Sequence, residues 1–269
     1  MCKDPPDRTA EGIGNMHIIY ENKFLRVEAL KPQPAPAGSR VLLSFPGIGQ
    51  KMDLIDVQTP EFAGIGREFG NTVFCYDKTR SWGNRLDWDV LTAAVRQAAE
   101  GSTLYSIGNS MGGYLAIVAG AYLPISRSVS FVPQLTVDPE AEPHDTRWRM
   151  YSNSIKSFPM KPASHYFAPE TEYFIFSAGK GVDGKHAQLF PKASNIHHWV
   201  FPDAGHRLAA NLKEQGELHR CIQSCFEGET EAVFSQETQR LSPAADAGLT
   251  PPAAACLAAT GPLNSAAPA

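Results

Sequence analysis

The sequence predicts an α/β fold in which a mostly parallel central sheet is flanked by helices. Short β-branched or aromatic segments alternate with segments whose apolar residues recur at a helical period, and this alternation is typical of a parallel sheet covered on both faces. The chain has 269 residues, of which 43% are hydrophobic, so it can bury one large core. We therefore expect a single α/β domain over residues 16–227.

The predicted elements begin with a hairpin whose two strands are separated by Glu21-Asn22-Lys23. The third strand is a β-branched and aromatic run that Pro46-Gly47 stops. The second predicted helix carries its apolar residues at helical spacing between Leu86 and Ala98. Strands are predicted at 16–20, 24–30, 40–45, 72–76, 102–107, 127–132, 173–177 and 197–201, and helices at 62–69, 86–100, 111–123, 185–190 and 208–226.

One insertion and two terminal segments depart from this alternation. Residues 135–169 are rich in proline and charge and are longer than an ordinary connection, which predicts a small cap or lid. Residues 1–15 are polar and lack the apolar core of a secretory signal, so we expect a flexible N-terminus and a cytoplasmic protein. Residues 228–269 are rich in alanine and proline, which predicts a disordered tail.

Charge and composition argue against several classes of partner. The formal net charge is −4 and there is no basic stripe, which argues against a nucleic-acid partner. No run of eighteen apolar residues is present, so we expect no membrane span. The five cysteines are scattered; Cys221, Cys225 and His219 are too few ligands for a metal site, and we expect reduced structural thiols and no metal.

The strongest chemical signal is a Gly-x-Ser-x-Gly pattern at residues 108–112, Gly-Asn-Ser-Met-Gly. A predicted strand precedes it and an apolar, small-residue helix follows it. Small flanking residues allow the sharp turn that exposes a nucleophilic serine between a strand and a helix. Ser110 is therefore the candidate nucleophile.

A serine hydroxyl needs an adjacent base, and the base needs an orienting group. His206 follows the last predicted strand and can approach the edge of the sheet where Ser110 is presented, although it could instead be a histidine without a partner at a helix start. Asp183 follows the neighbouring strand and is the candidate acid, but it could equally cap a helix. Asp138 is the reserve candidate for the acid.

An oxyanion needs two hydrogen-bond donors aimed at the developing charge. The backbone N–H of Met111, next to the candidate nucleophile, is the first candidate. The second is the N–H of Ile48, in the glycine-rich turn that follows the third predicted strand. A phosphate-binding loop is the competing interpretation, but no Lys-Ser/Thr pair closes the turn.

Together these motifs resemble those of the α/β-hydrolase fold superfamily over residues 16–227, in the chain order Ser, Asp, His. The resemblance implies an α/β-hydrolase fold with a small cap, Ser110 as nucleophile, His206 as base, Asp183 as acid, and the N–H groups of Ile48 and Met111 as the oxyanion hole. The sequence departs from the family pattern in two places. Pro46 replaces the usual histidine before the glycine, and Asp183 lies one residue later than the customary Gly-x-x-Asp spacing.

Candidate substrate-binding residues follow another strand and lie in the predicted cap. Asp77 and Trp82 belong to a loop that mixes charge, hydroxyl and indole groups, and Trp148 could supply an apolar wall. Packing of Trp82 on the body of the protein is an equally good interpretation. We expect no metal or organic cofactor.

The sequence thus predicts a serine hydrolase of esterase or thioesterase type that acts on a small-molecule acyl substrate. Two alternatives stay open. One is a ligand-binding homologue that lacks catalysis, because fold does not imply function. The other is an acyltransferase that passes the same acyl-enzyme to an alcohol.

Overall fold

The computed structural model describes residues 16–49, 58–229 and 239–241. Within these residues, nine strands form one sheet in the order β1-β2-β4-β3-β5-β6-β7-β8-β9. The strands are β1 (His17–Glu21), β2 (Leu25–Ala29), β3 (Arg40–Phe45), β4 (Asn71–Asp77), β5 (Thr103–Asn109), β6 (Ile125–Phe131), β7 (Glu172–Ala178), β8 (Ile196–Phe201) and β9 (Gln239–Leu241).

The six central strands, which lie in the order β4-β3-β5-β6-β7-β8, are parallel. The strand pairs toward the two edges, β1-β2, β2-β4 and β8-β9, are antiparallel. The predicted mostly parallel sheet is therefore confirmed. The register pairs Phe45 with Gly108 and Asn109 with Phe131, so β3, β5 and β6 end at the same edge. Ser110, which follows β5, leaves the sheet between the segments that follow its two neighbours.

Helices cover both faces of the sheet. Two of them, α2 (Trp88–Ala99) and α3 (Met111–Tyr122), pack into one hydrophobic cluster, and α1 (Ala63–Gly66), α6 (Leu208–Glu214) and α7 (Leu218–Glu227) pack into the other. Helix α2 begins where the Asp87 carboxylate accepts the N–H groups of Asp89 and Val90. Helix α3 is apolar on all sides because it is buried between the sheet, the cap and its neighbours.

The cap region, residues 135–169, contains one short helix and little other regular structure. The helix is α4 (Arg149–Ser152), and a single 3₁₀ turn follows at Ala163–His165. The Ala163 N–H donates to the carbonyl of Leu135, and the Tyr114 hydroxyl donates to the carbonyl of Lys161. The first bond holds the two ends of the cap together, and the second attaches the cap to α3.

Three elements differ from their predicted form. The predicted closing helix is interrupted near Gly216, whose φ of 77° favours glycine and ends α6 before α7 begins. The predicted helix at 185–190 begins earlier, as α5 (Gly181–Gln188), and thus includes Asp183. Within the tail predicted to be disordered, β9 pairs antiparallel with β8. The predicted flexible segment 1–15 and most of that tail lie outside the described residues.

The described residues include helices, potential metal ligands and cysteines that the sequence analysis addressed. None of their helices has the length and apolar character needed to cross a bilayer. No group of three or more of their His, Cys, Asp and Glu side chains is arranged to hold a metal ion. The cysteines in this part of the chain, Cys75, Cys221 and Cys225, are buried free thiols.

His198, on β8, gives the fold a sensitivity to acid. Its ring is buried and its Nε2 lies 2.8 Å from the Ser177 Oγ. Burial lowers the pKa of His198 from 6.5 to about 4. The unfolded chain therefore binds a proton at His198 between these two pH values and the folded chain does not, so stability falls as the pH drops through this interval.

We predict that His198→Gln removes this part of the acid sensitivity. The wild-type protein should lose about 3 kcal/mol of unfolding free energy through His198 between pH 7 and pH 4, and the variant should not. Urea unfolding as a function of pH measures the difference. His165→Gln, at an exposed position, is the control and should follow the wild-type profile. An equally steep loss in His198→Gln would contradict the prediction.

Candidate active site

Ser110 lies on a sharp turn between β5 and α3. Its backbone has φ 58° and ψ −120°, a combination that a residue with a side chain adopts only under strain. A Cβ added at Gly108 would overlap the carbonyl of Gly112, and one added at Gly112 would overlap the carbonyl of Phe45. Both glycines of the Gly-x-Ser-x-Gly pattern are therefore required by close backbone packing, as a nucleophile elbow demands.

The structure brings Ser110, His206 and Asp183 together. The Ser110 Oγ lies 3.0 Å from His206 Nε2, and His206 Nδ1 lies 3.1 and 3.2 Å from the two carboxylate oxygens of Asp183. His206 is in the loop after β8, and Asp183 is in the first turn of α5, after β7. Because β7 and β8 are parallel neighbours, both groups reach the same edge of the sheet.

The electrostatic surroundings keep Asp183 ionised. Its burial opposes the charged form, but hydrogen bonds from His206 and Arg147, together with the positive charge of the Arg147 guanidinium, outweigh this effect and lower the pKa of Asp183. Asp138, the reserve acid, accepts the N–H of Glu140 in its own turn. Of the two candidate acids, Asp183 is thus the one that the structure places against His206.

Arg147, a cap residue, contacts the same carboxylate, and the sequence analysis did not identify it as part of the site. Its Nη1 donates to Asp183 Oδ1 at 2.9 Å and lies 3.4 Å from His206 Nδ1. Its Nε and Nη2 donate to the two carboxylate oxygens of Asp145 at 2.9 and 2.7 Å. The guanidinium therefore joins a cap carboxylate to the candidate acid through a planar set of donors.

Asp145 is itself held by His186 of α5. His186 Nδ1 accepts the N–H of Leu135, so Nε2 carries the ring proton and donates to Asp145 Oδ2 at 3.0 Å. Burial disfavours the Asp145 charge, but the bonds from Arg147 and His186 lower its pKa well below the usual range. The four side chains of Asp145, Arg147, Asp183 and His186, which we call the Arg147 network, connect the cap to α5.

The two predicted oxyanion donors lie on adjoining backbone segments. Met111 begins α3, so its N–H has no intrahelical acceptor. Ile48 belongs to the turn after β3, and a Cβ added at Gly47 in that turn would lie 3.2 Å from the carbonyl oxygen of Asn109. This close approach places the turn against the elbow.

Side chains from two other segments fix the turn. The Gly47 N–H donates to Glu61 Oε1 at 3.1 Å, and the Gln58 side chain donates to the Gly47 carbonyl at 2.7 Å. Arg80 Nε donates to the Ile48 carbonyl at 3.3 Å. Burial raises the pKa of Glu61 to about 7. These bonds orient the turn through the N–H and carbonyl of Gly47 and the carbonyl of Ile48. None of these three bonds involves the N–H of Ile48.

The three candidate substrate-binding residues fall into two groups. Asp77 is fully buried, and its carboxylate accepts the N–H groups of Thr79, Ser81 and Gly83 in the loop that follows it. It therefore shapes that loop, and its role in substrate binding stays a prediction. Trp82 and Trp148 lie on the His206 side of the site: their ring centroids are 6.3 Å apart, and the Trp148 ring lies 5.6 Å from the His206 ring.

Gln134 is a further polar group at the site. The sequence analysis did not identify it. It follows β6 and is completely buried, and its Nε2 lies 3.1 Å from Ser110 Oγ. Its Oε1 lies 3.1 Å from the indole nitrogen of Trp82. The contact between Gln134 and Ser110 joins residues 24 positions apart in the chain, and no local sequence pattern signals it.

Comparisons with known proteins identify the fold. No family model and no curated protein matches the chain. Among solved structures, the capsule O-acetyltransferase of Neisseria meningitidis serogroup A matches with a TM-score of 0.56 at 12% identity, over 80% of this chain and 97% of that one. The chain has the α/β-hydrolase fold. In that fold the strand-to-helix turn after β5 is the position of the nucleophile elbow.

Other α/β-hydrolase-like structures match at similar identity. Porphyromonas gingivalis dipeptidyl peptidase 4 has a TM-score of 0.50 at 13% identity, over 79% of this chain and 35% of that one. A carboxylesterase from Bacillus subtilis has a TM-score of 0.48 at 13% identity, over 80% of this chain and 92% of that one. A fold does not by itself identify a reaction, which has to be argued from the site.

We predict that the Arg147 network orients the candidate acid. Arg147→Met should slow the labelling of Ser110 by a fluorophosphonate by about tenfold to a hundredfold, because Asp183 loses a fixed donor and His206 its alignment. Arg147→Lys keeps the charge but not the planar fork and should fall between Arg147→Met and wild type.

The control for this prediction is Arg149→Met. Arg149 lies two residues further along the cap and is exposed, so its loss should leave the labelling rate unchanged. Equal labelling rates in Arg147→Met and wild type would show that the network does not affect the nucleophile.

Proposed function

We propose that this protein is a serine hydrolase that cleaves an ester or thioester of a small acyl substrate through an acyl-enzyme. The observation that carries the proposal is the continuous contact of Ser110 Oγ, His206 and Asp183, with no gap longer than 3.2 Å. The strained position of Ser110 at the elbow supports it, because such strain persists where surrounding structure enforces it.

In the proposed reaction Ser110 Oγ attacks the acyl carbon while its proton passes to His206 Nε2. Asp183 accepts the Nδ1–H of His206 and stabilises the imidazolium that forms. The N–H groups of Ile48 and Met111 receive the negative charge on the former carbonyl oxygen. His206 then protonates the leaving alcohol or thiol, and a water molecule that His206 activates releases the acyl group from Ser110.

An acyltransferase is the second candidate. Ser110 is only 4% exposed, and the Trp148 ring lies 5.6 Å from the ring of its neighbour His206. A nucleophile shielded in this way favours an acceptor that enters the pocket over bulk water. The O-acetyltransferase among the matching structures shows that the fold accommodates transfer, but at 12% identity it supports the fold alone.

We predict that p-nitrophenyl esters distinguish these functions. Wild type should release p-nitrophenol from a series with acyl chains from acetate upward, and Ser110→Ala should lose about a thousandfold or more of the rate because the acyl-enzyme cannot form. Ser102→Ala is a matched control, since the Ser102 hydroxyl is buried without a hydrogen-bond partner in the described part of the chain.

The same assay with an added small alcohol tests transfer. Ester product formed at the expense of the free acid, with ping-pong kinetics, would indicate an acyltransferase. Absence of both turnover and fluorophosphonate labelling in wild type would contradict a catalytic role and favour a ligand-binding protein.

We further predict that Asp183 and Asp138 differ sharply in importance. Asp183→Asn should reduce ester turnover by about a thousandfold or more, because an amide neither selects the required imidazole tautomer nor stabilises its charge. Asp138→Asn should leave turnover nearly unchanged. The reverse ranking, measured as kcat/KM on the best ester of the series, would assign the acid to Asp138.

A further inference from the structure

The hydroxyl oxygen of Ser110 has a second nitrogen neighbour besides His206. Gln134 Nε2 lies 3.1 Å from Ser110 Oγ, almost the same distance as His206 Nε2 at 3.0 Å. Gln134 is completely buried at the end of β6, so its amide is shielded from water. The oxygen proposed to attack the substrate is therefore flanked by an imidazole on one side and an amide on the other.

Trp82 fixes which end of the amide faces Ser110. An indole N–H can only donate, so the Gln134 atom 3.1 Å from it is the acceptor Oε1. The Nε2 group then donates to Oγ at 3.1 Å, whereas Oε1, which Trp82 occupies, lies 3.5 Å from the same oxygen. His206 Nε2, at 3.0 Å, is the nearer acceptor for the hydroxyl proton. The loop that carries Trp82 is in turn held by Asp77, whose carboxylate accepts the N–H groups of Ser81 and Gly83 on either side of the indole.

A donor at Oγ has its greatest effect when that oxygen carries negative charge. Charge develops on Oγ as its proton moves to His206 and the bond to the acyl carbon forms, and it returns when that bond breaks during release of the acyl group. A hydrogen bond to an oxygen that is gaining charge strengthens as the charge grows, and more so in a buried site. Gln134 keeps its own protons throughout, so no further proton transfer is involved.

We infer that Gln134 is an additional catalytic residue, which donates a hydrogen bond to the nucleophilic oxygen of Ser110, and that Trp82 is the positioning residue that orients its amide. This inference rests on the proposed serine mechanism. It also gives the Asp77 loop a role. The Asp77 carboxylate holds the backbone on either side of Trp82, the Trp82 indole donates to Gln134, and Gln134 donates to Ser110.

The experiment compares labelling of Ser110 by a fluorophosphonate and hydrolysis of p-nitrophenyl acetate in single and double variants. Gln134→Met keeps the length of the side chain but cannot donate. Gln134→Glu keeps its shape and its acceptor for Trp82 but places an oxygen against Oγ. Each should lower the labelling rate and kcat by about tenfold to a hundredfold while KM changes less than about twofold, because the lost bond acts mainly on the transition state.

Trp82→Phe supplies the readout that a merely structural role would not give. It keeps an aromatic ring but removes the donor that orients Gln134, so it should slow labelling by roughly threefold to tenfold. In the Gln134→Met background the same change should have no further effect, since the two residues act as a unit. Trp88→Phe is the matched control: the Trp88 indole nitrogen is buried without a hydrogen-bond partner among the described residues, and its ring stacks on Tyr122.

The outcomes separate this inference from the proposed function. If wild type is labelled at Ser110 but both Gln134 variants are labelled at the wild-type rate, the inference is overturned and the serine mechanism stands. If Trp82→Phe slows labelling equally in both backgrounds, Trp82 acts independently and its positioning role is overturned. If wild type is neither labelled nor active, the serine mechanism and the inference fail together.

Discussion

Helix α3 begins against the carbonyl of Phe45, and that close backbone contact fixes the position at which Ser110 leaves the sheet. Only glycine fits at position 112, where a Cβ would overlap the Phe45 carbonyl. Only glycine fits at position 108 as well, where a Cβ would overlap the Gly112 carbonyl. The strained backbone of Ser110 costs about 1–3 kcal/mol. The fully buried side chains of α3, Leu115 to Ala119, offset this cost by fixing the helix between the sheet and the cap. The elbow is therefore as rigid as the core that surrounds it.

The parts of the fold that depend on local patterns could be predicted from the sequence. Strand β3 has the predicted bounds, because a β-branched and aromatic run ends there at Pro46-Gly47. The order of Ser110, Asp183 and His206 was also accessible, since each follows a predicted strand and parallel strands end at one edge. The interruption at Gly216 was missed because the apolar residues on either side of it continue to favour a helix.

Contacts between distant segments could not be predicted in this way. Arg147 meets Asp183 across 36 residues, and nothing in the composition of the cap indicates which carboxylate it contacts. Gln134 was equally inaccessible: a single glutamine after a strand carries no periodicity or spacing that marks it as a neighbour of Ser110. Asp77 was interpreted as a pocket residue because it follows a strand, whereas its loop folds back over the carboxylate and uses its oxygens. Such side chains are placed by tertiary packing, which a local pattern does not encode.

The Arg147 network has a consequence for electroneutrality during the proposed reaction. The proposed reaction requires His206 to begin as a neutral base. The carboxylates of Asp145 and Asp183 then surround one guanidinium and an uncharged ring, so this largely buried group carries a single excess negative charge before proton transfer. When His206 takes the proton of Ser110, that excess disappears. Without the guanidinium, two negative charges would share the same interior. Arg147 thus acts as a counter-ion to both carboxylates, and the proton transfer moves the interior behind the nucleophile toward neutrality while the balancing negative charge appears on the substrate oxygen.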